Sequence, residues 1–135
     1  MPLLRLKDTE IYYEVHGQGQ PIVFLSETAC DGEVWKMYQL EEFSRDHQVI
    51  LHDYRGTGRS GKPSIDYSTN MFCDDAAALL DHLGAEKAIV VGHSMGGRIA
   101  QLLALEYPGK VDKLILASTG AAFPSTKGLP LKICQ

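Results

Sequence analysis

The stretch that most constrains this chain is Gly92-His93-Ser94-Met95-Gly96-Gly97. Before it, Ala88-Ile89-Val90-Val91 reads as a short buried parallel strand; after it, Arg98 to Tyr107 reads as a helix halted by Pro108-Gly109. A strand that turns this abruptly into a helix forces its serine into a strained backbone conformation. Glycines two residues either side let the neighbouring chain pass without a Cβ clash. The predicted outcome is a serine hydroxyl at the carboxyl edge of a sheet, next to the positive end of a helix. Ser94 is therefore the candidate nucleophile. A Gly-Ser-Gly pattern is also compatible with a plain turn, but the strand and helix in register with it favour the first reading.

The remaining pattern supplies a sheet for that turn to sit on. Leu3–Leu6 and Ile11–Val15 read as an antiparallel hairpin around Lys7-Asp8-Thr9-Glu10, with one face wet. Gly17 to Pro21 reads as a turn, and Ile22-Val23-Phe24-Leu25 as a continuous apolar strand at the sheet centre. A helix is expected over about 33–44, with Trp35, Tyr38 and Phe43 on its inner face. Gln48–Leu51 is the next strand, ending at His52-Asp53. After a Gly/Ser/Arg-rich loop, Ser68 or Thr69 caps a helix running to His82-Leu83, which Gly84 ends. Val111–Ala117 is the last clear strand, and the chain beyond Ser118 carries no further recognisable element. Strands alternating with amphipathic helices predict an α/β fold: a mostly parallel sheet flanked by helices, with an organised part at 1–117 and an irregular tail at 118–135.

Composition narrows the partners. With 13 basic against 17 acidic residues the 135-residue chain carries a net charge of −4 and no basic cluster, which argues against nucleic acid and anionic membrane surfaces. Its apolar runs are too short to span a bilayer. Met1-Pro2-Leu3-Leu4-Arg5 leads straight into a strand pattern without a signal-peptide core, so a cytoplasmic location is expected. Cys30, Cys73 and Cys134 lack metal-ligand spacing and read as structural thiols.

A second motif, Asp53-Tyr54-Arg55-Gly56-Thr57-Gly58-Arg59-Ser60, accompanies the first. Its continuation to Gly61 also fits Gly-x-Gly-x-x-Gly after a strand, the pattern of a dinucleotide site. Lys62-Pro63-Ser64 follows instead of the helix such a site requires, so a structural turn fixing Asp53 and Arg55 is favoured.

Together the two motifs resemble the α/β-hydrolase family, in particular its esterases and enol-lactonases, over nearly the whole chain. The resemblance implies a serine hydrolase acting on a small carboxylic ester or lactone, with no metal and no cofactor. Ser94 would attack the carbonyl carbon, and backbone N–H groups of Met95 and Thr28 would hold the oxyanion. Tyr54, Trp35 and Met95 are candidates for an acyl pocket, the last two equally for the core.

The chain departs from the family's pattern in two places. Ser26-Glu27 stands where many relatives carry His-Gly, and glycine there permits backbone angles that glutamate resists, so the second oxyanion donor is expected either to be displaced and opposed by the Glu27 carboxylate, or to be unaffected if Glu27 faces solvent. The family's order is serine, acid, histidine, yet no histidine follows Ser94: the five are His16, His47, His52, His82 and His93. His52 lies at the appropriate sheet edge, but on a strand not expected beside the nucleophile. The chain thus resembles the front part of a hydrolase without the cap and closing strands. The alternative to catalysis is a hydrolase core serving as a binding scaffold. In either case Val111–Ala117 would leave an open sheet edge for self-association or a complementing segment.

Overall fold

A computed structural model describes residues 1–121. Six strands form one sheet in the order β1-β2-β4-β3-β5-β6, comprising β1 (Leu3–Arg5), β2 (Glu10–His16), β3 (Gln20–Leu25), β4 (His47–His52), β5 (Ala88–His93) and β6 (Val111–Ala117). The first two pairings, β1 with β2 and β2 with β4, are antiparallel; β4, β3, β5 and β6 run parallel. Turn residues 17–21 were expected to precede the central strand. The strand instead begins at Gln20, with Pro21 paired opposite Gln48.

Period-two alternation divides the central strands between two apolar layers. Val23, Leu25, Ile50 and Val90 face one side and pack against Phe72, Ala76, Leu79 and Leu80 of α2 (Thr69–His82) and Ile99, Ala100 and Leu103 of α3 (Met95–Glu106). Ile22, Phe24, Val49, Leu51, Ile89 and Val91 face the other side, under Trp35, Leu40 and Phe43. Burial on both faces explains why these strands read as unbroken apolar runs.

Several boundaries follow their local chemistry. Ser68 accepts a hydrogen bond from the Met71 N–H (3.2 Å) and caps α2, while Gly84 at φ +66° closes it. The long helix expected over 33–44 is broken into a 3₁₀ turn, Gly32–Lys36, and a single-turn α1, Gln39–Phe43. Trp35 and Phe43 do face inward, Trp35 stacking 4.9 Å from Phe24, but Tyr38 falls at the break and is 74% exposed.

The last strand in the order, β6, is covered least: Leu114, Ile115 and Leu116 are 37%, 48% and 44% exposed. Ser118 to Ala121 form no regular element, and the rest of the expected tail, including Cys134, lies outside the described residues. No described helix is long and apolar enough to cross a membrane.

Candidate active site at the strand–helix elbow

Ser94 lies between β5 and α3 with φ +55° and ψ −117°, a conformation that β-carbon sterics make costly for any residue but glycine. It occupies the N-cap position of α3, yet makes no capping bond through its side chain. Serine ordinarily caps a helix through its hydroxyl; here the strained turn leaves the partly exposed side chain outside that role.

The turn is held by close backbone packing. A Cβ on Gly96 would collide with the carbonyl oxygens of Leu25 and Ser26, and one on Gly92 with the backbone of Gly96 and Gly97. The elbow therefore presses directly on the end of β3. From the other side, the Ser94 N–H donates to the Ala117 carbonyl (3.1 Å) and the Thr119 hydroxyl donates to the Ser94 carbonyl (2.6 Å). Thr119 was not singled out from the sequence: a threonine just past a strand carries no signal of what it will reach.

The loop after β3 faces the elbow. The Cys30 N–H donates to the Glu27 carbonyl (3.2 Å), closing a turn with Thr28 and Ala29 at its centre. The left-handed residue is Ala29, at φ +60°, whereas Glu27 is not among the residues with positive φ. The conformational demand expected at position 27 thus falls two residues later. The Glu27 carboxylate lies 3.7 Å from His93 Nδ1 and accepts from the Cys30 thiol at 3.4 Å, so it is turned neither wholly to solvent nor away from the elbow. Burial together with that carboxylate raises the Cys30 pKa, which keeps the thiol protonated.

The Asp53–Ser60 segment lies beneath this loop. Arg55 is buried and grips Asp75 with two hydrogen bonds (2.7 and 2.8 Å) while reaching Asp8 at 2.9 Å, tying the segment to α2 and to the β1–β2 turn. Burial raises the Asp75 pKa against the pull of Arg55. No helix opens within Gly56–Gly61; the next begins at Thr69, so the dinucleotide pattern lacks its helix here as the sequence indicated.

The histidines engage elsewhere. His16 contacts Glu14, His47 contacts Asp46, His82 meets the Tyr13 hydroxyl and His93 faces Glu27. His52, two strands from β5 in the sheet order, is fully buried with no partner for either ring nitrogen among the described residues. Burial lowers its pKa to about 4 and keeps the ring neutral. Of the candidates for an acyl pocket, Tyr54 and Met95 are buried in the larger apolar layer and Trp35 in the smaller. The only described cluster with metal-ligand proximity, Cys73, Asp74 and Glu106, lies away from the elbow on α2 and α3. Its thiol is raised to about 12 by burial, which disfavours a thiolate ligand.

The sequence and fold have counterparts among known proteins. The chain is 39% identical, over 87% of its length and 44% of the relative's, to a putative carbamate hydrolase RutD of Azorhizobium caulinodans. It is 34% identical to a non-heme haloperoxidase of Rhodococcus erythropolis over 98% of this chain and 51% of that one. Among solved structures, Est816, described as an N-acyl homoserine lactone degrading enzyme, superposes with a TM-score of 0.83 at 35% identity, covering 97% of this chain and 52% of its own. An esterase from Exiguobacterium antarcticum does so with a TM-score of 0.81 at 32% identity, over 87% and 44%. The chain spans about half the length of the curated relatives it matches. The family model for the alpha/beta hydrolase fold matches residues 20–132, and with the elbow, the parallel sheet and these relatives in agreement, the chain belongs to the α/β-hydrolase family.

Proposed function

We propose that this chain carries the nucleophile half of a serine hydrolase that cleaves a small carboxylic ester or lactone. The observation that carries the reading is the backbone of Ser94: strained at φ +55°, partly exposed, and set at the start of α3 without capping it. Strain of this kind costs about 1–3 kcal/mol, persists only where the surrounding structure holds it, and clusters at active sites.

In the proposed reaction the Ser94 oxygen forms a bond to the acyl carbon and its proton passes to a base. The C–O bond to the leaving alcohol then breaks, and the alkoxide takes up a proton. Water repeats the sequence on the serine ester and restores the hydroxyl. The N–H groups of Met95 and Thr28 are proposed to face the oxyanion, the first from the N-terminus of α3, the second from the turn after β3; one such donor accounts for about 10²–10³ in rate. The relatives that include a lactone-degrading enzyme and an esterase support the ester or lactone class.

A non-catalytic hydrolase core is the second reading, favoured by the histidine contacts, all of which run to groups other than Ser94. A fluorophosphonate probe separates the two. Covalent mass on wild-type protein that disappears in Ser94→Ala supports the hydrolase. An unlabelled wild type, shown by circular dichroism to be folded, supports the scaffold.

A further inference from the structure

The loop from Ser26 to Asp31 contains no regular element and runs into the 3₁₀ turn that opens at Gly32, and both of its ends are tied to two consecutive residues of another segment. At its start, the Tyr54 hydroxyl donates to the Ser26 carbonyl at 2.9 Å within the buried interior. At its end, the Gly32 N–H donates to Asp53 Oδ1 at 2.9 Å, also buried. The second carboxylate oxygen of Asp53 accepts from the Arg59 N–H at 2.8 Å, so the carboxylate is shared between two loops. Asp53 itself is fixed through its backbone, whose N–H donates to Tyr12 (3.0 Å) and whose carbonyl accepts from the Ser60 hydroxyl (2.6 Å).

We propose that Tyr54 and Asp53 are positioning residues that clamp the 26–32 loop at both ends and so set the place of its central turn, Thr28-Ala29, against the Ser94 elbow. Its consequence for chemistry rests on the hydrolase reading above; the clamp itself does not. The physical argument lies in what the loop would otherwise do. A short irregular segment gains little from apolar contacts and opens locally at low free energy. Its internal bonds, the Ser26 hydroxyl to the Cys30 carbonyl (3.1 Å) and the Cys30 N–H to the Glu27 carbonyl (3.2 Å), shape the turn but do not anchor it to the sheet. Residues 53 and 54 supply a buried anchor at each end. Asp53 suits its task because it offers two acceptor oxygens to two N–H donors, which an asparagine cannot do without turning its own NH₂ toward one of them. Tyr54 suits its task because a ring buried against Phe72 and His52 directs the hydroxyl from a rigid base.

Amide hydrogen exchange followed by NMR on the 135-residue chain, paired with the rate of fluorophosphonate labelling at Ser94, tests the clamp. In the wild type the Gly32 amide should exchange as slowly as those of β3; exchange at the rate of an unprotected loop would overturn the proposal without any variant. In Tyr54→Phe, which keeps the buried ring, the hydrogen-bonded amide of Cys30 should exchange about five- to ten-fold faster while those of β3 and β5 stay within about two-fold, the effect of losing one buried hydrogen bond locally. Labelling of Ser94 should slow about ten-fold with the sheet amides unchanged, which a uniform loss of stability would not produce. Asp53→Asn should speed exchange at Gly32 or Arg59. Unchanged exchange at Cys30 in Tyr54→Phe overturns the clamp, and faster exchange with an unchanged labelling rate overturns its role in setting the site. An unlabelled wild type overturns the hydrolase reading instead, and the exchange result alone then decides the clamp.

Discussion

The two sides of the candidate site are built in different ways. The elbow at Ser94 is held by backbone pressed on backbone: Gly96 against the end of β3, and Gly92 against Gly96 and Gly97. The facing loop, residues 26–32, is held by side chains sent from elsewhere, Tyr54 to one end and Asp53 to the other. Close backbone packing fixes geometry through hard repulsion, which leaves no soft alternative. Side-chain bonds fix it through directional attraction of about 1 kcal/mol apiece, which a small change can remove. One side of the site should therefore fail abruptly and the other gradually.

Acidification should act through the residue that precedes the loop's two anchors. His52 stands next to Asp53 in the chain and its ring packs edge-on against Tyr54, 5.2 Å between centroids. Its folded pKa is depressed to about 4 from an ordinary 6.5, so between those values the unfolded chain binds more protons than the folded one. Stability from this group is complete above about pH 6.5 and falls as pH drops toward 4, by up to about 3 kcal/mol. Urea melts at a series of pH values should show that slope, and His52→Leu should flatten it. An equal slope in the variant would mean that other groups carry the acid sensitivity.

Next in size is Gly96→Ala. Its methyl would meet the Leu25 carbonyl, a backbone atom with nowhere to yield, at a cost of about 1–3 kcal/mol as overpacking. Thermal melting should show the loss, and Ser94 labelling should disappear rather than merely slow. Continued labelling at the wild-type rate would show that the elbow is softer than its packing implies. The smallest effect has the opposite sign. Ser94→Gly should stabilise the chain by about 1 kcal/mol, because glycine adopts φ +55° without a Cβ penalty. A destabilised Ser94→Gly would place the strain elsewhere in the turn.

The contrast also explains what could be read in advance. The elbow was legible because repulsion between backbones demands glycine, and glycine at fixed spacing is visible in a sequence. The central strands were legible for a related reason: burial on two faces demands an unbroken apolar run, as in Ile22–Leu25 and Ala88–Val91. The break between Lys36 and Gln39 was not legible, since Tyr38 fits a helical spacing whether or not the helix continues.

By itself, then, the sequence determined the order of strands and helices, the strained turn at Ser94 and the family, all through local periodicity and steric demand. Tertiary structure alone decided that Tyr54 leaves the expected pocket for the core and reaches Ser26. It also decided that Asp53 holds Gly32, that Thr119 closes on the Ser94 carbonyl, and that left-handed strain falls at Ala29 rather than at position 27. These are contacts between residues about 20 or more apart in the chain, or choices among turns of similar energy. No local pattern encodes which distant donor a carbonyl will meet once the sheet has brought them together.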